Sequence, residues 1–472
     1  MGDFISQEMI VEVTKRVLES LEQNSLSLNR QNGIFPTMGE AVQEAWVAQK
    51  RLVTLTLKKR EELIQAMREA VISNARTISE LAVRESGMGR VEDKIAKNIL
   101  SAEKTPGTED LITQAYSGDH GLTIMEQAPF GVIGAITPVT NPTATVINNS
   151  IGMLAAGNSV VFNPHPRGKM CSLKTIAILN EAIISRGGPP NVLTAVEEPT
   201  IETARQMMQH PKILLLTATG GPGVVRVVLS SGKRAIGAGA GNPPVVVDQT
   251  ANLVKAAQSI IAGASFDNNL PCIAEKEIIA VDQIADPLLS CLRREGALVL
   301  DAKWIQPLTD LLFTRKEEEG RETYQVNTDY VGKDVSYIMK DAGMDIAQDI
   351  RLAVIEVGRD HPLFREEQLM PIIPLVRVKN VDEAIELAVE VENGNRHSAM
   401  MHSTDVNNMT RLARSIQTTL FVKNAPSYAG IGLGGEGCTT FTIAGPTGEG
   451  LTSARCFTRL RRCVLVDALS IL

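Results

Sequence analysis

Ser159-Val-Val-Phe162, Asn191-Val-Leu-Thr194 and Ile213-Leu-Leu-Leu216 are short runs rich in β-branched and leucine residues, and a helical pattern over 171–186 separates the first from the second. A strand that runs into a helix does not return as a hairpin, so the next strand joins the sheet parallel to the first. Residues 159–216 therefore predict a parallel α/β sheet. A second series starts at Pro244-Val-Val-Val247, passes through a helical pattern over 251–264 and the run Glu277-Ile-Ile-Ala-Val281, and extends to about residue 422. It reads as a second α/β domain. Residues 111–125 and 455–467 are strand-like and lie outside both series, so they are expected to pair with each other or with a neighbouring subunit.

At 472 residues the chain is too long for one ordinary core, and 44% hydrophobic with 21% charged residues is the composition of a folded, non-fibrous protein. A formal net charge of −7 argues against nucleic acid as a partner, because phosphate-binding surfaces are basic. No run of about 18 apolar residues is present, and the acidic N-terminus lacks the features of a secretory signal, so a cytoplasmic protein off the membrane is expected. Six cysteines, at 171, 272, 291, 438, 456 and 463, show no Cys-x-x-Cys spacing and are expected to be reduced.

Near the N-terminus, Met9, Ile10, Val13, Val17 and Leu21 share one helical face, and Glu8, Glu12, Lys15, Glu19 and Glu22 share the other. A polar run rich in Ser and Asn, residues 24–33, separates this helix from the next helical pattern at 38–57. The first helix is therefore read as an appendage.

Cys272 lies in Gly263-Ala-Ser-Phe-Asp-Asn-Asn-Leu-Pro-Cys-Ile-Ala-Glu275, a loop between a helix and a strand whose small and amide residues leave room around the sulfur. Taken alone, a free cysteine is more often a packed apolar thiol. The wider set of segments decides otherwise. Gly131-Val-Ile-Gly-Ala-Ile-Thr-Pro138, Ala156-Gly-Asn-Ser-Val-Val161, Thr217-Ala-Thr-Gly-Gly221, the Cys272 loop and Glu367-Gln-Leu-Met-Pro371 together resemble the aldehyde dehydrogenase superfamily. The Cys272 block, Gly237-Ala-Gly-Ala-Gly-Asn-Pro-Pro244 and Gly432-Leu-Gly-Gly-Glu-Gly437 resemble its CoA-acylating members from bacterial microcompartments, the propionaldehyde type foremost.

That resemblance implies an aldehyde dehydrogenase-like α/β fold, with a Rossmann-like cofactor domain, an α/β catalytic domain and a β oligomerisation arm. The expected division is a targeting helix over 1–23, a linker over 24–35, an NAD- and CoA-binding domain over 36–110 and 126–236, a catalytic domain over 237–430, and oligomerisation segments over 111–125 and 431–472. It also implies that Cys272 attacks a short aldehyde, that hydride passes to NAD, and that CoA takes the acyl group from a cysteine thioester. The oxyanion is assigned to the Cys272 N–H with a polar side chain of Pro138-Val-Thr-Asn-Pro142, either Thr140 or Asn141, or to the backbone alone. The resemblance assigns the dinucleotide to Thr219, Gly220, Gly221 and Val224 in a strand-to-helix turn, to Asn163, Pro164 and His165 at the end of an earlier strand, and to Glu367 at the nicotinamide ribose. His165 stands near where hydrolytic relatives have a lysine, which leaves NAD against NADP open. Those relatives also carry a water-activating glutamate, and Gly237 is read as its equivalent, so acyl transfer to CoA is favoured over hydrolysis.

His361, His397 and His402 lack acidic or thiol partners at ligand spacing, so no metal is expected. The N-terminal helix resembles those that dock cargo enzymes onto microcompartment shells, which implies a shell-protein partner and a place inside the compartment; the strand-like segments outside the two series point to a homodimer or homotetramer. Two other readings stand beside this one: a hydrolytic NAD-dependent aldehyde dehydrogenase, and a non-catalytic cargo or scaffold protein.

Overall fold

The computed structural model describes residues 32–318 and 321–471. The expected helix over 1–23 and most of the linker lie outside them. Its end does not: Ile34 and Phe35 are buried and form strand β1 (Ile34–Phe35), paired parallel with a strand of the first sheet, so the folded body begins inside the stretch read as linker.

Three helices follow, α1 (Met38–Leu52), α2 (Leu57–Ser86) and α3 (Val91–Lys104). The first two start on threonines, Thr37 and Thr56, whose side chains accept the N–H groups of Glu40 and Lys59. Glycine ends α2, since Gly87 at φ 68° takes a left-handed conformation that costs glycine nothing. Two antiparallel strands, β2 (Gln114–Gly118) and β3 (Gly121–Pro129), lead into β4 (Val132–Thr137) and α4 (Pro142–Ala155). The alternation read from the sequence then appears as β5 (Ser159–Pro164), α5 (Lys169–Ser185), β6 (Leu193–Val196), α6 (Ile201–Gln209), β7 (Ile213–Thr219), α7 (Pro222–Leu229) and β8 (Ala235–Ala238).

These strands form a parallel sheet in the order β1-β6-β5-β4-β7-β8. Alternate residues feed opposite faces: Ile133 and Ala135 of β4 pack with α2, α4 and α5, whereas Val132 packs with α1, α6 and α7. The chain winds outward from β4 through β5 and β6, then crosses to β7 on β4's other side. This reversal opens a crevice at the carboxyl ends of β4 and β7.

The second half builds a seven-stranded parallel sheet from β9 (Pro244–Val247), β10 (Glu277–Val281), β11 (Leu298–Leu300), β14 (Ala353–Glu356), β15 (Ile372–Val378), β16 (Ser398–His402) and β17 (Leu420–Lys423). Its order is β11-β14-β15-β10-β9-β16-β17, with helix α8 (Leu253–Ala264) joining β9 to the loop before β10. Between β11 and β14 an antiparallel pair, β12 (Phe313–Glu318) and β13 (Arg321–Val326), stands apart from the sheet. The α/β reading of both halves holds.

After β17 the chain returns to the first half through β18 (Ile443–Ala444) and β19 (Gly450–Leu451), then ends in β20 (Thr458–Val466). β20 pairs antiparallel with β3, so the two strand-like segments outside the main series do meet each other. The stretch expected over 431–472 as an oligomerisation segment is too wide, however. Ala444, Ala454 and Phe457 are buried in the first core, and Thr440 and Thr442 bond Asn148 and Asn149 of α4. Only β20, with β2 and β3, projects.

Candidate active site

Four neighbouring strands of the second sheet, β15, β10, β9 and β16, run parallel, so the residues that precede them gather at one edge. Those residues are Glu367, Cys272, Gly241 and His397. The contact is close. A methyl group on Gly241 would lie 2.8 Å from Cγ of His397 and 3.0 Å from the Cys272 carbonyl oxygen. Burial raises the Glu367 carboxyl above the usual carboxylate range, and the Lys276 charge and the Gly241 backbone oppose this.

The loop that carries Cys272 is held from within. Asp267, Asn268 and Asn269 all have left-handed backbones, at φ 48°, 55° and 65°, a conformation that Asp and Asn reach more readily than other side-chain-bearing residues. Asn269 Nδ2 donates to the carbonyls of Ala264 and Glu275 at 2.8 Å each, and Lys276 Nζ donates to the Asn269 carbonyl, the Asn269 amide oxygen and the Pro271 carbonyl. Glu275 accepts the N–H and hydroxyl of Ser427, fastening the other flank of the loop. Cys272 itself is half-buried. Burial pushes its thiol up to about 12, the Glu367 charge adds to this, and the Lys276 ammonium opposes it. The resting sulfur is therefore a neutral thiol, and a base must take its proton when an aldehyde arrives.

His397 packs beside this loop, across Gly241 from the Cys272 carbonyl. The ring is buried, Nδ1 lies 2.8 Å from Ser398 Oγ, and Nε2 has no hydrogen-bond partner. Burial, with the Lys276 charge, lowers its pKa to about 4 and keeps the ring neutral at pH 7. In the tautomer that donates from Nδ1 to Ser398, Nε2 carries a free lone pair.

The switch-point crevice of the first sheet abuts this edge. Ala144, in the first turn of α4, shares an apolar cluster with Ile273 and Cys272. Thr140 and Asn141, in the loop from β4 to α4, were the two candidates for the oxyanion donor. The Thr140 carbonyl accepts from Lys94 Nζ at 3.3 Å, and Asn141 Oδ1 accepts from Lys97 Nζ at 2.5 Å. Asn141 Nδ2 has only a 3.4 Å contact with Thr140 Oγ1, which leaves amide hydrogen-bonding capacity for a ligand.

The cofactor candidates divide. Thr219, Gly220 and Gly221 form the turn from β7 into α7, where Cβ atoms on Gly220 or Gly221 would meet nothing within 4 Å. Buried Thr137 and Thr217 hydroxyls beside this turn lack partners, and Val224 on α7 is exposed. The Thr219 hydroxyl is paired with Thr442 and the Gly220 N–H donates to the Ala238 carbonyl, so what the turn offers a dinucleotide is open space with an apolar flank. Asn163, by contrast, is buried and spends its amide on Thr203 Oγ1 and the Thr200 carbonyl, and Pro164 is buried in β5. His165 is exposed at the strand end, its Nδ1 accepting the Arg167 N–H.

Two residues stand differently from expectation. Gly237 does not face Cys272: a Cβ there would meet Val225 Cγ1 at 2.8 Å and then Leu229, both on α7, so a glutamate at 237 would drive into that helix. The wider observation survives, because residues 235–244 contain no carboxylate. His397, set aside in the sequence as a metal ligand, lies beside the nucleophile loop. Its only sequence signal is its position one residue before a strand, which becomes informative once the strand order is known. His361 accepts the Leu363 N–H and contacts Thr309 Oγ1. No group of three or more metal-ligating side chains occurs among the described residues, nor a helix long and apolar enough to cross a membrane.

Two parallel α/β units with a half-buried cysteine where their edges meet, and an open dinucleotide turn alongside, define a cysteine-bearing dehydrogenase architecture. The sequence pattern of the aldehyde dehydrogenase family matches residues 36–436, and the chain belongs to that family. Among relatives, the acetylating acetaldehyde dehydrogenase EutE of Escherichia coli K12 is 49% identical over 99% of this chain and 100% of its own. A propionaldehyde dehydrogenase of Rhodopseudomonas palustris, solved with bound CoA and an acylated cysteine, superposes with a TM-score of 0.90 at 53% identity, covering 93% of this chain and 100% of that one. The propionaldehyde dehydrogenase of the Clostridium phytofermentans fucose utilisation bacterial microcompartment gives a TM-score of 0.90 at 50% identity, over 93% and 100% of the two chains.

Proposed function

We propose that this protein is a CoA-acylating aldehyde dehydrogenase that converts a short aldehyde, propanal foremost, with CoA and NAD to the acyl-CoA and NADH. The observation that carries the reading is Cys272, half-buried beside a neutral His397 with an unpartnered Nε2, where no carboxylate stands in the 235–244 segment to activate water. The six-stranded unit takes the NAD and CoA, and the seven-stranded unit supplies the nucleophile.

Aldehyde enters between Asn141 and Cys272. As His397 Nε2 accepts the thiol proton, the sulfur bonds to the carbonyl carbon, and the oxygen takes up negative charge against the Cys272 N–H and Asn141 Nδ2. Thr219, Gly220, Gly221 and Val224, with Glu367 at the ribose, would hold NAD, which would accept the hydride lost from carbon. A thioester on Cys272 remains. His397 releases the first proton to solvent; the CoA thiol then gives its proton to the neutral imidazole and attacks the acyl carbon, the bond to Cys272 breaks, and the sulfur leaves as thiolate to recover that proton from the imidazolium.

The arm β2-β3-β20, exposing Tyr116, Leu460, Val464 and Val466, assembles subunits into a homodimer or homotetramer. The amphipathic pattern over 3–23 docks the enzyme onto a microcompartment shell protein and places it inside the compartment. The microcompartment source of one solved relative supports that placement.

The test is NADH absorbance with propanal and NAD, with and without CoA. Sustained turnover with CoA and a single burst without it is expected. Steady CoA-independent turnover would favour the hydrolytic reading, and no NADH under either condition would favour a non-catalytic cargo role.

A further inference from the structure

Helix α3 sends two lysines into the protein. Lys94 and Lys97 are each 2% exposed, and both donate to the same buried carboxylate, Asp267, in the loop that leads to Cys272. One carboxylate thus faces two ammonium groups, and an excess buried cation is costly unless it has further acceptors. Asp267 is itself fixed: its Oδ1 accepts the Arg90 N–H, its N–H donates to Asp93, and Asp93 is paired with Arg351. Lys94 turns its remaining capacity to the Thr140 carbonyl, and Lys97 turns its own to Asn141 Oδ1.

An ammonium carries three donors and no acceptor, so the end of the Asn141 amide that faces Lys97 has to be the oxygen. The opposite end, Nδ2, then points away from the lysine with only its long contact to Thr140 Oγ1. The Lys97 charge also reaches the sulfur, where it favours thiolate. Asp267, held by the same ammonium, belongs to the nucleophile loop, so one atom of α3 ties the β4–α4 loop to the loop that carries the cysteine.

We infer that Lys97 is a positioning residue for acylation: it locks the Asn141 carboxamide with Nδ2 presented to the carbonyl oxygen of the aldehyde, and sets that donor against the Cys272 loop. The inference rests on Asn141 as oxyanion donor. Without Lys97 the amide can flip and present an oxygen to the developing negative charge.

The test is a double-mutant cycle on the full chain, read as the pre-steady-state NADH burst with propanal and NAD in the absence of CoA. Asn141→Ala, Lys97→Met and the double variant are compared, with Lys97→Gln as a second neutral replacement and thermal melting as the fold check. Asn141→Ala is expected to slow the burst about 10²–10³-fold, the range for removal of one oxyanion donor. Lys97→Met is expected to slow it about 10²-fold with an aldehyde KM within about threefold of the parent, and the double variant to be no more than about threefold slower than Asn141→Ala. An Asn141→Ala burst at the parent rate would remove the oxyanion assignment itself. If Asn141→Ala is slow while Lys97→Met and Lys97→Gln fold and keep the parent rate, the lysine inference alone falls. It falls equally if the two losses multiply in the double variant, or if neither lysine variant folds, because either result makes Lys97 a purely structural residue.

Discussion

Gly241→Ala is the smallest change that reaches the reacting atoms without touching any of them. The added methyl would sit 2.8 Å from Cγ and 3.0 Å from Nδ1 of His397, and 3.0 Å from the Cys272 carbonyl oxygen. Ordinary contact begins near 3.4 Å, so the ring or the nucleophile loop must retreat by about half an ångström. Neither is free to do so: the ring is tied to Ser398 through Nδ1 and to Glu392 through its backbone N–H, and Lys276 and Asn269 fasten the loop. Overpacking of this kind costs about 1–3 kcal/mol of stability. A displacement approaching 1 Å at reacting groups costs about 10²-fold in rate. We therefore expect kcat for propanal oxidation with CoA to fall between about tenfold and a hundredfold, with a Tm drop of a few degrees. Gly239→Ala controls for stiffening of the glycine run, since a Cβ there meets nothing within 4 Å. Its melting temperature should match the parent. A Gly241→Ala enzyme with kcat within twofold of the parent would refute the packing of His397, Gly241 and Cys272 described above.

His397 and His402 are buried with pKa values lowered to about 4, so each stabilises the fold fully above its unfolded pKa of about 6.5 and loses that contribution as pH falls towards 4. His397→Gln should flatten the stability loss between pH 6.5 and 4, by at most about 3 kcal/mol, in denaturant titrations at several pH values; an unchanged pH slope would mean that the ring is not buried neutral. Leu460→Glu with Val464→Glu, two residues that share one face of β20, should reduce the particle mass in light scattering while each subunit keeps its melting cooperativity. A parent-sized oligomer would exclude this arm as the interface. Removal of residues 1–23 should leave CoA-dependent turnover within about twofold and abolish co-sedimentation with shell protein, because a polar run separates that amphipathic sequence from the body. Loss of activity on truncation would place the segment in the catalytic fold.

Strand order explains what the sequence disclosed and what it hid. Pro244-Val-Val-Val247 and Glu277-Ile-Ile-Ala-Val281 were readable as strands with their bounds, because β-branched runs between helices have few other solutions. Cys272 was readable from its loop and its resemblance. His397 was not, since it stands far along the chain from the nucleophile and joins Cys272 only because β16 and β10 flank β9. Lys94 and Lys97 drew no reading from the sequence, since nothing local reveals that Asp267 meets them inside the protein. Gly237 went astray because it belongs to β8 of the first sheet and faces α7, whereas the glycine that meets Cys272 is Gly241, four residues on in the loop into β9. The exposed arm was recognisable as strands, whereas how far the C-terminal stretch folds back on α4 depends on threonine hydroxyls that pair with Asn148 and Asn149 across almost 300 residues.

Peptide mass spectrometry of the enzyme incubated with propanal and NAD in the absence of CoA tests the central claim most directly. The expected result is a propanoyl mass on the peptide containing Cys272, about one per subunit, which disappears on addition of CoA as propanoyl-CoA is released. An acyl mass on Cys171, Cys291, Cys438, Cys456 or Cys463 with Cys272 left free, or a Cys272 adduct that CoA does not discharge, would contradict it.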